Sequence, residues 1–264
     1  MTCPPANSET YRTPVVVLTA GGTLGTIIVN GLVERLGSIV VIEEQQEKKS
    51  EILRRRVRLN GIVAAIGQAV LGVVLRACAP RYQRRLCKIL QTKKLDPTPS
   101  KCVTIHRVAS VNSQHCRELL RELNPDIVGV YGTRIISTKT LNCVSAPFIN
   151  YHAGTNPKYR GQHPAYWARA EHDDENAGVT IHLVDDGVDT GDVLYQAHVD
   201  YTDDDTIMTY QYVQAATALP LFARAIEDGL AGGLVPKRVD LPSRQWFPPT
   251  LWRYCYVGVT RGVW

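Results

Sequence analysis

Regular patterning begins at Pro14. Residues 15–20 read Val-Val-Val-Leu-Thr-Ala, a short apolar run rich in β-branched residues. Such a run, bounded by turn residues, predicts a strand buried on both faces. The glycine turn Gly21-Gly-Thr-Leu-Gly25 follows. Residues 26–37 then carry helical spacing, with Ile27, Ile28, Leu32 and Leu36 on one face. Residues 38–43 predict a second strand. Strand, turn, helix, strand is the opening unit of a parallel α/β sheet.

The alternation breaks between residues 44 and 100, a stretch that is helical in composition, and the prolines at 97 and 99 mark a loop at its end. It resumes with a strand at 103–106. A helix to Leu123 follows, capped by Ser113 or Asn112 and ended by Asn124-Pro125. Further apolar strands are predicted at 126–132, 149–152 and 178–184. The pattern implies an α/β fold: a Rossmann-like, mostly parallel sheet with helices on both faces. Residues 14–204 read as one domain, with a helical insertion at about 44–100. Residues 1–13 read as a loose tail. A helix or two at 205–229 and an extended tail to residue 264, marked by Pro236, Pro242, Pro248 and Pro249, complete the chain.

Charge changes the picture of the insertion. Residues 48–101 hold fourteen Lys or Arg against two acids, a net +12, which leaves −7 for the rest of a chain whose total is +5. Such an asymmetry points to an anionic partner or to a solvated helix face. Inside it, residues 61–75 read GIVAAIGQAVLGVVL, a fifteen-residue run interrupted only by Gln68. That is shorter than the roughly 20 residues a span needs. The run is expected to pack on the core through Ile62, Val63, Ile66, Val70, Leu71 and Val74; membrane-surface contact through 61–75 is the alternative. The seven cysteines are odd in number and widely spaced, with no C-x-x-C pair, and the first residues lack signal-peptide features. These argue against a disulfide framework or a zinc site and place the chain in the cytoplasm, soluble without detergent.

Polar chemistry concentrates between 149 and 196. Asn150 and His152 lie two apart on a predicted strand, so they share a face. Lys158-Tyr-Arg-Gly-Gln-His-Pro164 is a broken loop with two cations. Asp185-Asp-Gly-Val-Asp-Thr-Gly-Asp192 follows the last strand; its spacing is not that of an EF-hand, and no metal is expected there.

Together, Asn150-Tyr-His152, Tyr159-Arg-Gly-Gln-His-Pro164 and Gly178-Val-Thr-Ile leading to Asp189-Thr-Gly191 resemble the formyltransferases that use 10-formyltetrahydrofolate. The resemblance runs from about residue 124 to 196, and is strongest to sugar-nucleotide N-formyltransferases. It implies Asn150, His152 and Asp189 as the catalytic residues. An amine attacks the formyl carbon; Asn150 and His152 donate to the developing oxyanion, and Asp189 pairs with His152 and helps move the amine proton. Whether His152 serves mainly as base or as donor stays open. The resemblance places the folate against Tyr131, Gly132, Arg134, Ile135, Val184, Asp185, Gly187, Val188 and Thr190. It places the acceptor against Lys158, Tyr159, Arg160, Gly161 and Gln162. The co-substrate is 10-formyltetrahydrofolate, with no metal.

The expected acceptor is a small-molecule amine on a nucleotide-linked amino sugar, as in polysaccharide or lipopolysaccharide synthesis, with no nucleic acid partner and a homodimer as one assembly. A glycinamide ribonucleotide enzyme, a 10-formyltetrahydrofolate hydrolase and a non-catalytic folate- or nucleotide-binding module are the alternatives; methionyl-tRNA is ranked below them as an acceptor despite the basic segment. For the ribonucleotide enzyme, Ala20–Gly25 would grip a phosphate. In the tail, Trp246, Phe247, Trp252, Tyr254 and Tyr256 would stack on a base, pack a dimer or cover the sheet edge.

Overall fold

A computed structural model describes residues 14–101 and 103–264; the expected loose tail at 1–13 lies outside them. In chain order the elements are β1 (Val15–Thr19), α1 (Gly22–Leu36), β2 (Val40–Glu44), α2 (Lys49–Asn60), α3 (Ile62–Thr92), β3 (Thr104–Val108) and α4 (Gln114–Leu123). Next come β4 (Ile127–Tyr131), α5 (Thr138–Leu141), β5 (Phe148–His152), β6 (Arg160–Gly161), α6 (Pro164–Ala170), β7 (Gly178–Leu183) and β8 (Val193–His198). The chain closes with α7 (Tyr210–Leu230), β9 (Gln245–Trp246) and α8 (Leu251–Arg261).

Seven strands make one sheet in the order β3-β2-β1-β4-β5-β7-β8. The first five in that order run parallel, and β7 and β8 add an antiparallel edge. β1 shows how the layers arise. Val15 and Val17 pack with Ile27, Ile28 and Leu32 of α1 and with Leu219, Phe222 and Ile226 of α7. Val16 and Leu18 pack on the other face with Cys116, Leu119 and Leu120 of α4. Alternate residues therefore serve alternate faces, and a strand covered on both sides reads as continuous apolar sequence. Gly31 lets α1 approach α7: a Cβ there would lie 2.7 Å from Leu219 Cδ2. Ser113 caps α4 by accepting from the Cys116 N–H, and Asn124 ends it in the left-handed conformation. The Rossmann-like, mostly parallel sheet with helices on both faces matches the expectation from sequence.

The tail departs from it. It is not extended throughout: β9 pairs with β6, and α8 buries Tyr254 and Val257 in a third cluster with Tyr166, Trp167, Tyr210 and Trp246. Trp246 stacks on both Tyr159 and Trp167, so Trp246 and Tyr254 serve packing. α6 and β8 were not anticipated. Six of the seven residues of α6 are buried, which leaves no polar face to mark a helical period.

The insertion is helical, as expected, but it packs by a different face. Of the six residues expected to hold it to the core, only Leu71 is buried. Ile62, Val63, Ile66, Val70 and Val74 are 63%, 67%, 54%, 41% and 36% exposed. The packed side is instead built from Ala65, Gly67, Gln68 and Leu71. Gln68 Nε2 donates to the Pro248 carbonyl at 2.9 Å. Trp252 lies so close over Gly67 that a Cβ would meet its ring at 2.4 Å. Small residues let the C-terminal segment approach, and the branched ones turn outward. Further along α3, Arg85 forms a two-pronged pair with Asp205, at 3.0 and 2.8 Å.

Candidate active site

β5 brings Asn150 and His152 to its carboxyl end on one face. There an open α/β sheet offers a ligand crevice. The antiparallel neighbour β7 sets His182 directly opposite Asn150. Cross-strand partners share a face, and Asn150 Nδ2 lies 3.0 Å from His182 Nε2. The His182 Nδ1–H donates to the Leu183 carbonyl at 2.7 Å, which leaves Nε2 to accept from Asn150 when the ring is neutral. His182 was missed from sequence because its partner is fixed by strand order; its place in the Gly178–Val184 run was the only signal.

Asp189 is the hub. It sits in the left-handed region at φ 52°, in a loop closed by Asp185, which accepts from the Gly187 N–H at 3.1 Å and the Thr190 hydroxyl at 2.7 Å. Its Oδ2 lies 3.3 Å from His152 Nδ1 and accepts the Gly161 N–H at 3.0 Å, and its Oδ1 lies 3.6 Å from His182 Nε2. Burial works to raise the carboxyl pKa. The charge of His152 first, then the nearby His182 ring and the Gly161 N–H, outweigh it and hold Asp189 well below the usual carboxylate range.

The 158–162 loop braces this hub. His152 Nε2 faces the Tyr159 carbonyl at 2.8 Å. Both nitrogens of His152 thus face oxygen acceptors, an arrangement that a doubly protonated ring satisfies in full. Arg160 donates to the Val188 carbonyl at 2.7 Å and to Ser243 Oγ at 3.0 Å. Gly161 adopts φ 93°, and a Cβ there would meet the Trp246 carbonyl oxygen at 2.4 Å, so only glycine fits. Two expected acceptor contacts are corrected. The Tyr159 side chain is buried with its hydroxyl on Asp173, and Lys158 pairs with the same carboxylate at 2.6 Å. Gln162 is exposed, and its N–H is held by the Trp246 carbonyl at 2.9 Å.

The residues expected to meet folate divide. Tyr131 stacks on Tyr151 with centroids 5.1 Å apart, and Gly132 turns the chain at φ 67°. Arg134 is engaged by Glu44 at 2.7 Å and by the Gln45 carbonyl at 2.8 Å, which removes it as a free ligand contact; Ile135 is exposed beside it. The Val184 N–H donates to the Phe148 carbonyl. Asp185, Asp189 and Thr190 line a cleft of about 580 Å³ with Asn156, Lys237 and Arg238. Both amide atoms of Asn156 are buried without a partner among the described residues. The glycine turn at 20–25 does not suit a phosphate: a Cβ on Gly21 would lie 2.8 Å from Glu43 Oε2, which puts a carboxylate at the turn. No group of three or more His, Cys, Asp or Glu arranged for a metal occurs among the described residues.

His163 ends the loop in the left-handed conformation, and burial, with Arg56 adding, pushes its imidazole down to about 4 from 6.5. The unfolded chain then binds a proton that the folded one does not. Stability is expected to be full above pH 6.5 and to fall toward pH 4, by at most about 1.4 kcal/mol per pH unit from this group. Urea midpoints at pH 7 and pH 5 measure it. His163→Asn, which tolerates positive φ, should flatten the slope; an unchanged slope contradicts the assignment.

The profile of the formyl transferase family matches residues 79–225, so the second half of α3 lies inside the match, which begins earlier than the sequence motifs suggested. Methionyl-tRNA formyltransferase of Anaeromyxobacter dehalogenans (strain 2CP-C) is 36% identical over 181 residues, 66% of this chain and 55% of that protein. The enzyme of the same name from Pelotomaculum thermopropionicum is 31% identical over 200 residues, 72% of this chain and 60% of that protein. The chain thus spans just over half the length of these curated relatives. Among solved structures, a sugar N-formyltransferase from Shewanella sp FDAARGOS_354 superposes with a TM-score of 0.56 at 19% identity, covering 89% of this chain and 77% of that one. Glycinamide ribonucleotide transformylase 1 from Symbiobacterium toebii gives 0.55 at 20%, covering 93% and 98%. These superpositions establish a shared fold, and with the profile match over more than half of its length the chain belongs to the formyl transferase family.

Proposed function

We propose that this chain transfers the formyl group of 10-formyltetrahydrofolate to a primary amine. The observation that carries the reading is the convergence of His152, His182 and the Gly161 N–H on one buried carboxylate, Asp189, beside Asn150. The folate supplies an activated formyl carbon. Asn150 keeps one amide hydrogen on His182 and has a second to donate to the oxyanion that develops on that carbon's oxygen. Both nitrogens of His152 are engaged, which favours a role in holding Asp189 charged over direct donation. As the new C–N bond forms, the amine loses a proton to water, and the folate nitrogen takes one up as the old bond breaks; Asp189, held anionic, stabilises the positive charge on the attacking amine and helps that proton across. The cleft of about 580 Å³, lined by Asp185, Asp189 and Thr190, suits a polar heteroaromatic ligand.

For the acceptor, a nucleotide-linked amino sugar is the reading the site favours. Lys237 and Arg238 at the cleft offer cations to phosphate. Solved relatives of this fold include a sugar 3N-formyl transferase in the presence of dTDP and 5-N-formyl-THF, and an N-formyltransferase from Helicobacter canadensis in complex with folinic acid and dTDP-3-aminofucose. The Glu43 carboxylate at the glycine turn counts against a ribonucleotide phosphate there. Methionyl-tRNA is the second reading, favoured by the names of the curated relatives and by the +12 segment. The cytoplasm is the proposed compartment, supported by five free cysteines among the described residues.

The test is a panel of dTDP-linked amino sugars, glycinamide ribonucleotide and methionyl-tRNA, each with 10-formyltetrahydrofolate. A formylated sugar nucleotide is expected. Its rate should fall as salt rises past about 0.1 M, where screening acts within about 10 Å. Formylation of methionyl-tRNA alone would replace the sugar with the second reading.

A further inference from the structure

α3 is, among the described residues, the one helix long and apolar enough to cross a membrane by length and composition, and most of that stretch is uncovered. At 100° per residue, Ile62, Val63, Ile66, Val70, Val73 and Val74 fall on an arc of roughly 120°. All six are exposed. The opposite side is committed to the protein through Ala65, Leu71 and the Gln68 bond to Pro248. A helix so tethered lies along the molecule and does not stand free to span.

Two neighbours widen the face. α2 packs chiefly on α3 and has no buried residue, with Leu53, Val57 and Leu59 outward. Trp252 covers Gly67 at the rim of the arc, and α8 continues from it with exposed Tyr256 and Val259. The same two helices carry exposed cations, among them Arg54, Arg58, Arg76 and Arg84.

We propose that the α2–α3 hairpin, with the exposed side of α8, docks into the headgroup layer of an anionic phospholipid bilayer. Branched aliphatic side chains gain by leaving water for the acyl boundary. Arginines gain by meeting lipid phosphates, and tryptophan and tyrosine favour the interface between the two. A second copy of this chain is the poorer occupant, because it would set one +12 segment against another. Nucleic acid would satisfy the arginines but leave Ile66, Val70 and their neighbours against a polar surface.

Flotation of the full chain with phosphatidylcholine vesicles, with or without a roughly one-third share of phosphatidylglycerol, tests it. Binding is expected on the anionic vesicles at low salt and about tenfold or more weaker on the neutral ones. Ile66→Glu combined with Val70→Glu should lower anionic binding about tenfold or more, at unchanged melting temperature and unchanged formyl transfer. Absence of vesicle binding, or equal binding by wild type and variant, overturns the proposal. So does a solution dimer, or a gel shift with tRNA, that the same two substitutions abolish while vesicle binding persists.

Discussion

Replacing His152 with alanine is expected to lower turnover of 10-formyltetrahydrofolate by about 10²–10⁴-fold, the range for loss of an acid–base group. The geometry says why one side chain matters so much. His152 is the 3.3 Å partner of the Asp189 carboxylate and ties it, through the Tyr159 carbonyl, to the loop that carries the Gly161 N–H. Without it a buried carboxylate loses the first of the charges that hold its proton affinity down. Asn150→Ala and Asp189→Ala should fall in the same range. Because His152 is buried with both nitrogens engaged, the alanine variant should also lose about 1–3 kcal/mol of stability. Steady-state rates alongside urea unfolding separate the two effects. Near-wild-type turnover in any two of the three variants would sink the assignment.

Arg85→Met is expected to cost about 3–5 kcal/mol, the cost of leaving a buried ion unpaired. The Asp205 side chain is only 1% exposed, and Arg85 covers it with two hydrogen bonds. Burial raises the Asp205 pKa, and the Arg85 bond, the Thr202 backbone and the Arg85 charge together carry it below its ordinary value. A depressed carboxylate stabilises the fold above its unfolded pKa of about 3.9 and loses that contribution as pH falls below it. Against a total stability of about 5–15 kcal/mol the loss is large. It would loosen α3 from the segment that leads into α7, since this pair joins them across 120 positions of sequence. Urea denaturation reads it. Adding Asp205→Asn to the variant should recover part of the loss, and a cost under about 1 kcal/mol would show the pair to be water-screened.

Much of this was legible in the sequence, for definite reasons. The Val15–Thr19 run predicts a buried parallel strand because both its faces are covered. Asn124-Pro125 ends α4 because the backbone turns left-handed at Asn124 and proline cannot continue the helix. Asn150 and His152 share a face because strands repeat every two residues. What was not legible depended on partners far along the chain. The 61–75 run is apolar on nearly all sides, so its period could not say which side packs. That choice belongs to Pro248, Thr250 and Trp252, and Gln68 meets Pro248 across 180 residues. His182 required knowing that β7 runs antiparallel to β5. Tyr159 looked like a ligand contact in a loop motif, yet its ring is core and its carbonyl is the part that reaches the site.

The most direct test of the central claim is the stoichiometry of transfer. Tetrahydrofolate released and formylated amine formed are counted together, with a nucleotide-linked amino sugar present or withheld. Transfer through Asn150, His152 and Asp189 predicts one formylated amine for each folate released, release that depends on the amine, and loss of both signals in Asp189→Ala. Folate released at the same rate with and without the amine would mean that water takes the formyl group, and bound folate that is never released would mean a binding module; either result contradicts the account.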